Sequence, residues 1–118
     1  MKSHARKARD PLPAARLETM AQLLRVVGHP ARLRILDFLE TESQAPVHAI
    51  TAAAGQPQAS VSNHLTKMRQ AGILNARRRG KEVWYAIASP HAVTILKCMR
   101  HNVAGSSLQY GRRGGRST

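Results

Sequence analysis

The chain is poor in acid, cysteine and aromatic residues, and each shortage removes a class of function. Among 118 residues, six are Asp or Glu against 19 Lys or Arg, a formal net charge of +13. From Ser43 to Thr118 the one acid is Glu82, set against eleven Lys and Arg. Highly charged surfaces usually mix both signs. A stretch this one-sided fits a polyanion, and nucleic acid is the usual one. The single Cys98 forms no intramolecular disulfide, and the start Met-Lys-Ser-His-Ala-Arg-Lys lacks the apolar core of a signal peptide, which points to a reducing, cytoplasmic setting. No apolar run is long enough to cross a bilayer, so no membrane partner is expected. With only Phe38, Trp84, Tyr85 and Tyr110 as aromatics, the chain is ill equipped to stack unpaired RNA bases. It has no Ser/His/Asp set, paired-carboxylate pocket or phosphate-binding glycine loop, so no enzyme and no cofactor is implied.

Composition divides the chain into three. Residues 1–11 are polar and basic and read as a disordered arm. Residues 105–118, rich in Gly, Ser and Arg, read as a disordered tail. The segment between, residues 12–104, suits one small domain with a modest core. Leu17, Met20, Leu24 and Val27 share a helical face that Gly28 ends. Pro30 then opens a second helix to about Glu40, with Leu33, Leu36 and Leu39 on its main apolar side. After a loop at 43–45, Pro46 opens a third helix to about Ala54, and Pro57 opens a fourth. The third and fourth make a helix-turn-helix. A fifth helix from Pro90 carries Ala92, Val93, Ile95, Leu96, Met99 and Val103. These fill more of its circumference than one packed face needs, which calls for a second partner.

The densest signal lies between Gln56 and Ile87. Val61, Leu65 and Met68 recur as a single buried stripe, leaving Gln58, Ser62, Asn63 and Lys67 outward. Gly72 follows at the position after the helix end that favours glycine. Ile73–Ala76 and Glu82–Ile87 then read as two strands around Arg78-Arg79-Gly80-Lys81, with Gly80 supplying the positive φ of a tight turn. A polar-faced helix running into a cationic hairpin reads as a recognition helix and a wing.

These segments resemble the arsenical-resistance repressor (ArsR) family over about residues 16–103. The resemblance rests on Gly28-His-Pro-Ala-Arg-Leu-Arg-Ile-Leu, Gln58-Ala-Ser-Val-Ser-Asn-His-Leu, Met68-Arg-Gln-Ala-Gly-Ile-Leu, Arg78-Arg-Gly-Lys and Val83-Trp-Tyr. It implies a mainly α, dimeric winged helix-turn-helix protein with a small β-hairpin, joined through its first and last helices, whose fourth helix enters the major groove. The sensing residues of known members do not carry over. Where arsenic-sensing members hold Cys-x-Cys, this chain has Pro46-Val47-His48. Where zinc-sensing members hold Asp-x-His and His-x-x-Glu, it has Ser89-Pro90-His91 and His101-Asn102-Val103-Ala104. His91 and His101 are about 15 Å apart along a helix, so one chain cannot bring both to an ion, and two imidazoles fall short of the three or four ligands zinc takes. No metal is expected. Asp37 stands where persulfide-responsive members carry the first of two cysteines, and Cys98 reads as a small inert hydrophobe. Pro57 replaces a serine that in many members caps the recognition helix.

Gln58, Ser60, Ser62, Asn63 and His64 are the candidates for base and nearby phosphate contacts, with Lys67 for phosphate. For His64 a packing role weighs equally. Arg77, Arg78, Arg79 and Lys81 are the candidate wing contacts, at least one of them facing only water; Trp84 and Tyr85 read as structural. For Arg32 and Arg34 a structural role, pairing acids or capping helix ends, weighs at least as much as phosphate contact. Leu17, Met20, Val93, Leu96 and Met99 are the candidate dimer interface. The function expected is a sequence-specific repressor binding an inverted repeat of double-stranded DNA as a homodimer. A nucleoid-coating protein with little sequence preference and a small RNA-binding protein are the alternatives.

Overall fold

The computed structural model describes residues 10–103. The basic arm expected at 1–11, apart from Asp10 and Pro11, and the tail expected at 105–118 lie outside them. Five helices surround a small sheet: α1 Ala14–Val27, α2 Pro30–Glu42, β1 Ala45–Pro46, α3 Val47–Ala54, α4 Gln58–Gln70, β2 Leu74–Arg79, β3 Glu82–Ile87 and α5 Pro90–Val103. The expected architecture is present, with two local differences. Ala45 and Pro46 are not loop and helix start. They pair antiparallel with Tyr85 and Trp84 as an edge strand, in the sheet order β1-β3-β2. Proline has no N–H to give, and an edge strand has a side where none is needed. The wing's first strand also continues past Ala76 through Arg79, which lies opposite Glu82, and the connecting loop narrows to Gly80 and Lys81.

Two glycines set where the recognition helix stops and the wing turns. Gly72, at φ 80°, lets its own N–H reach Arg69 O at 3.0 Å and the Ile73 N–H reach Met68 O at 2.9 Å. This reciprocal pair of bonds closes the end of α4 and redirects the chain into β2. Gly80, at φ 65°, takes the first central position of a two-residue hairpin loop, where a side chain would be strained. At the other end of the hairpin, Ile73 O accepts the Ala88 N–H at 2.7 Å, which fastens the base of the wing beside the start of α5.

The core is built on α2 and α4. Ala31, Ile35, Leu36 and Leu39 are buried along α2, with Leu33 and Phe38 half-buried beside them, so the axis of burial runs through Ile35 rather than Leu33. Val61, Leu65 and Met68 are fully buried, as the periodicity requires. Ile50, Ala54, Ile73, Leu74, Ala92 and Leu96 complete the cluster. On α1 the buried residues are Leu23 and Val27, while Leu17 and Leu24 remain 52% and 51% exposed.

Leu96 corrects a sequence assignment. Placed with the dimer face on the sequence alone, it is 3% exposed and packs into the protomer's own core. Helix α5 is apolar over so much of its circumference that periodicity does not distinguish its inner from its outer side. Arg100 reinforces the seating of α5, donating to Glu40 Oε1 at 2.8 Å and Asp37 Oδ1 at 2.5 Å on α2. Leu96→Glu is therefore expected to cost more than about 3 kcal/mol, the scale for an uncompensated buried charge, and to lower the urea midpoint at every protein concentration. An unchanged midpoint with a dissociated dimer would return Leu96 to the interface.

Candidate nucleic-acid interface

With Val61, Leu65 and Met68 pointing inward, α4 has one rotation available. At about 100° per residue, the pole opposite that stripe is occupied by Ala59, Asn63, Thr66 and Gln70, all exposed. Ser62 flanks this pole on one side and Lys67 on the other, both exposed; Gln58, in the first turn, is exposed on the Leu65 side of the helix, and Ser60 is half-buried. The reading from sequence thus found Asn63 and its flanks but passed over Thr66 and Gln70. The signal was available in the same periodicity, continued one and two turns beyond the residues of the family-like motif.

His64 is the second correction. It is 8% exposed, on the edge of the buried stripe, and has no open face to offer a base. Its Nδ1 accepts the Arg32 Nε–H at 3.0 Å, and its ring meets that of His29 edge-on at 4.7 Å between centroids. The same Arg32 guanidinium donates through Nη1 to Val26 O, 2.8 Å away at the end of α1. Arg32 is thus the helix-capping residue that the structural reading anticipated, and Asp37, further along α2, binds Arg100. Burial, and then the charges of Arg32, His29 and Lys67, lower the His64 pKa below the ordinary histidine value.

The wing displays its cations openly. Arg77, Arg78, Arg79 and Lys81 are all exposed. Arg77 stands opposite Trp84 and Arg78 opposite Val83, so Arg77 and Arg79 share the Trp84 face while Arg78 points to the other. The Arg79 guanidinium lies 4.3 Å from the Trp84 ring centroid. Such stacking holds the cation extended along the strand without neutralising it. Tyr85, alternating away, packs on the core. The one acid of the hairpin, Glu82, faces His48 Nδ1 on α3 at 3.0 Å; both side chains are largely open to solvent, so the contact adds little stability.

A separate apolar surface runs along α1. Leu12, Leu17 and Leu24 are each more than half exposed, and Met99 on α5 is 37% exposed. Met20 and Val93 are half-buried. Leu12 and Leu24 join the candidates that the sequence placed here, and Leu96 leaves them. Among the described residues, no group of three or more His, Cys, Asp and Glu is placed to hold a metal ion, and no helix is long and apolar enough to cross a membrane.

A family model described as a helix-turn-helix domain matches residues 27–77, which run from the end of α1 into the wing. The chain is 37% identical over 83 residues to the transcriptional repressor PagR of Bacillus anthracis, covering 70% of this chain and 83% of that protein. Against the crystal structure of PagR the TM-score is 0.67 at 36% identity, covering 74% of this chain and 99% of that one. It is also 37% identical over 86 residues to the HTH-type transcriptional repressor SmtB of Mycobacterium tuberculosis, covering 73% of this chain and 63% of that one. The solution structure of a homodimeric winged helix-turn-helix DNA-binding domain from Mycobacterium bovis, a possible ArsR-family transcriptional regulator, matches with a TM-score of 0.69 at 29% identity, over 82% of this chain and 88% of that one.

Proposed function

The chain belongs to the ArsR/SmtB family of winged helix-turn-helix DNA-binding regulators, and on that premise we propose that it acts as a homodimeric repressor seated on an inverted repeat of duplex DNA. The observation that carries this reading is the single polar pole of α4, set beside a wing whose four cations are all exposed. In this reading Asn63, Gln58 and Ser62 read base edges, with Thr66 and Gln70 available on the same pole. Lys67, Arg77, Arg78, Arg79 and Lys81 hold phosphates, or place one guanidinium in a minor groove. The exposed leucines of α1 meet the outer side of α5 across a two-fold axis. The repressor occludes a promoter in the cytoplasm, without enzymatic activity, cofactor or metal. The folded unit is residues 12–104, and the basic segments at 1–11 and 105–118 add non-specific affinity.

Selection of bound duplex from a random pool supplies the test sequence. Alanine at Asn63 or Gln58 is expected to cost about 1–3 kcal/mol on the selected duplex and little on a scrambled one, relaxing preference at one position per half-site. Alanine at Arg78 or Lys81 is expected to weaken both duplexes and to lower the salt slope by roughly one unit for each phosphate no longer held. Half-sites are expected about 10 bp apart, one helical turn. Fluorescence titrations over a range of salt read all three. Equal losses on both duplexes for the α4 variants would favour a nucleoid-coating protein, and preferential capture of single-stranded RNA would favour the RNA-binding alternative.

Leu17→Glu tests the dimer separately. Leu17 is 52% exposed in the protomer, so the substitution is expected to leave the urea midpoint of the monomer unchanged while abolishing the dimer in sedimentation at micromolar concentration. A surviving dimer would place the interface elsewhere.

A further inference from the structure

We propose that Arg32 and His64 form a proton-sensitive latch that holds the recognition helix in its reading orientation, so that acid releases the selected DNA sequence without releasing DNA in general. The second half of this inference rests on the DNA-binding role of α4, whereas the latch itself rests only on the geometry. One guanidinium ties three helices together. Arg32, on α2, donates through Nη1 to Val26 O at the end of α1 at 2.8 Å and through Nε to His64 Nδ1 on α4 at 3.0 Å. Guanidinium is a donor only and is never deprotonated in a protein. His64 therefore presents a lone pair at Nδ1, as the neutral ring with its proton on Nε2.

A proton arriving at Nδ1 removes the acceptor and sets two cationic donors face to face at 3.0 Å. His29 lies against the same ring at 4.7 Å, and Lys67 is on the next turn of α4. Every charged group that shifts His64 is positive or becomes so: Arg32 and His29 from α2 and its N-terminal cap, and Lys67 from its own helix. Helix α1 presents the Val26 carbonyl to the guanidinium, and neither α1 nor β2 adds a charge that shifts the histidine. Among the described residues no carboxylate acts on this ring, so once protonated it leaves its place. Asn63 precedes it in sequence and Thr66 and Lys67 follow within a turn, so the reading pole moves with it.

The direction of the pH effect follows from the lowered pKa. The latched state binds the proton more weakly than a free histidine, of pKa about 6.5. Its advantage is therefore complete at neutral pH and is lost as the pH falls below that value toward the lowered one. Simple electrostatics has the opposite sign, because any proton the protein gains in acid strengthens its attraction to a polyanion. Loss of specific binding in acid thus separates the latch from the general charge.

The experiment uses the full chain, the duplex selected from the random pool and a scrambled duplex of the same length, titrated by fluorescence anisotropy at fixed ionic strength from about pH 7.5 to about pH 5.5. Affinity for the selected duplex is expected to fall several-fold, while the scrambled duplex binds as well or better. His64→Asn places an amide oxygen where Nδ1 stood, keeps the Arg32 bond and does not titrate; it is expected to flatten the profile and retain neutral-pH affinity. Arg32→Met is expected to weaken the selected duplex several-fold at neutral pH and leave the scrambled duplex unchanged. Acid loss that persists in His64→Asn, or a selected-duplex profile that parallels the scrambled one, overturns the proposal. NMR of the histidine ring nitrogens and the α4 amides tests the latch without DNA: the amides of residues 58–70 are expected to shift with the His64 midpoint, below about 6.5, and not in His64→Asn. Titration of His64 with no response in those amides overturns the latch, whereas failure of the pool to yield any preferred duplex overturns only the DNA-reading role.

Discussion

Burial of Val61, Leu65 and Met68 fixes the rotation of α4 about its own axis, and nearly everything else in the molecule follows from that constraint. Once those three side chains are inside, Asn63, Thr66 and Gln70 face outward, and Gly72 falls where the chain must reverse. The bonds from Gly72 and Ile73 back to Arg69 and Met68 then aim β2 away from the helix end. Helix and wing are therefore joined through a turn in which the Lys67, Met68 and Arg69 carbonyls at the helix end all accept backbone N–H groups. Truncating a buried leucine or methionine in such a stripe costs about 2–5 kcal/mol, a large part of what a domain of this size has. The stripe thus sets which face of α4 is turned outward, and the Arg32–His64 bond bears on how that face is seated.

Electrostatics supplies the second layer, through where negative charge is withheld. Asp37 and Glu40 are occupied by Arg100 at the junction of α2 and α5, and Glu82 by His48. Exposed pairs of this kind contribute about 0–1 kcal/mol each, so their main effect is on the field. Asp37 and Glu40 thus lie at the α2–α5 junction, and Glu82, opposite Arg79, is the one acid among the wing's four exposed cations. Arg79, stacked on Trp84, is held by an aromatic face that leaves its charge in place.

The α2–α5 junction also bears on how such a chain is regulated. Asp37 stands where the family resemblance places a cysteine in persulfide-responsive members, and the structure fills that position with an ion pair to Arg100. Thiol exchange between the two helices has no place in that arrangement. The titratable group best placed to communicate with the recognition helix is instead His64, through Arg32, which touches α1 and α4 at once.

Much of this was legible in the linear chain, because helical and strand periods, glycines at positive φ and prolines at helix starts are local properties. The apolar stripe of α4, the stop at Gly72, the turn at Gly80 and the exposed basic wing follow from the sequence alone. Three features did not. Ala45-Pro46 became a strand only because β3 lay beside it to pair with. Leu96 turned inward, since a helix apolar over most of its circumference carries no periodic sign of which side meets its own core. His64 sat at the edge of a stripe, where the period is ambiguous, and its burial was decided by Arg32, 32 residues earlier in the chain. The sequence by itself determined which elements form and which face of the recognition helix is free. Only the tertiary structure decided which polar residue is bound within, because hydrogen-bond partners distant in sequence leave no local pattern.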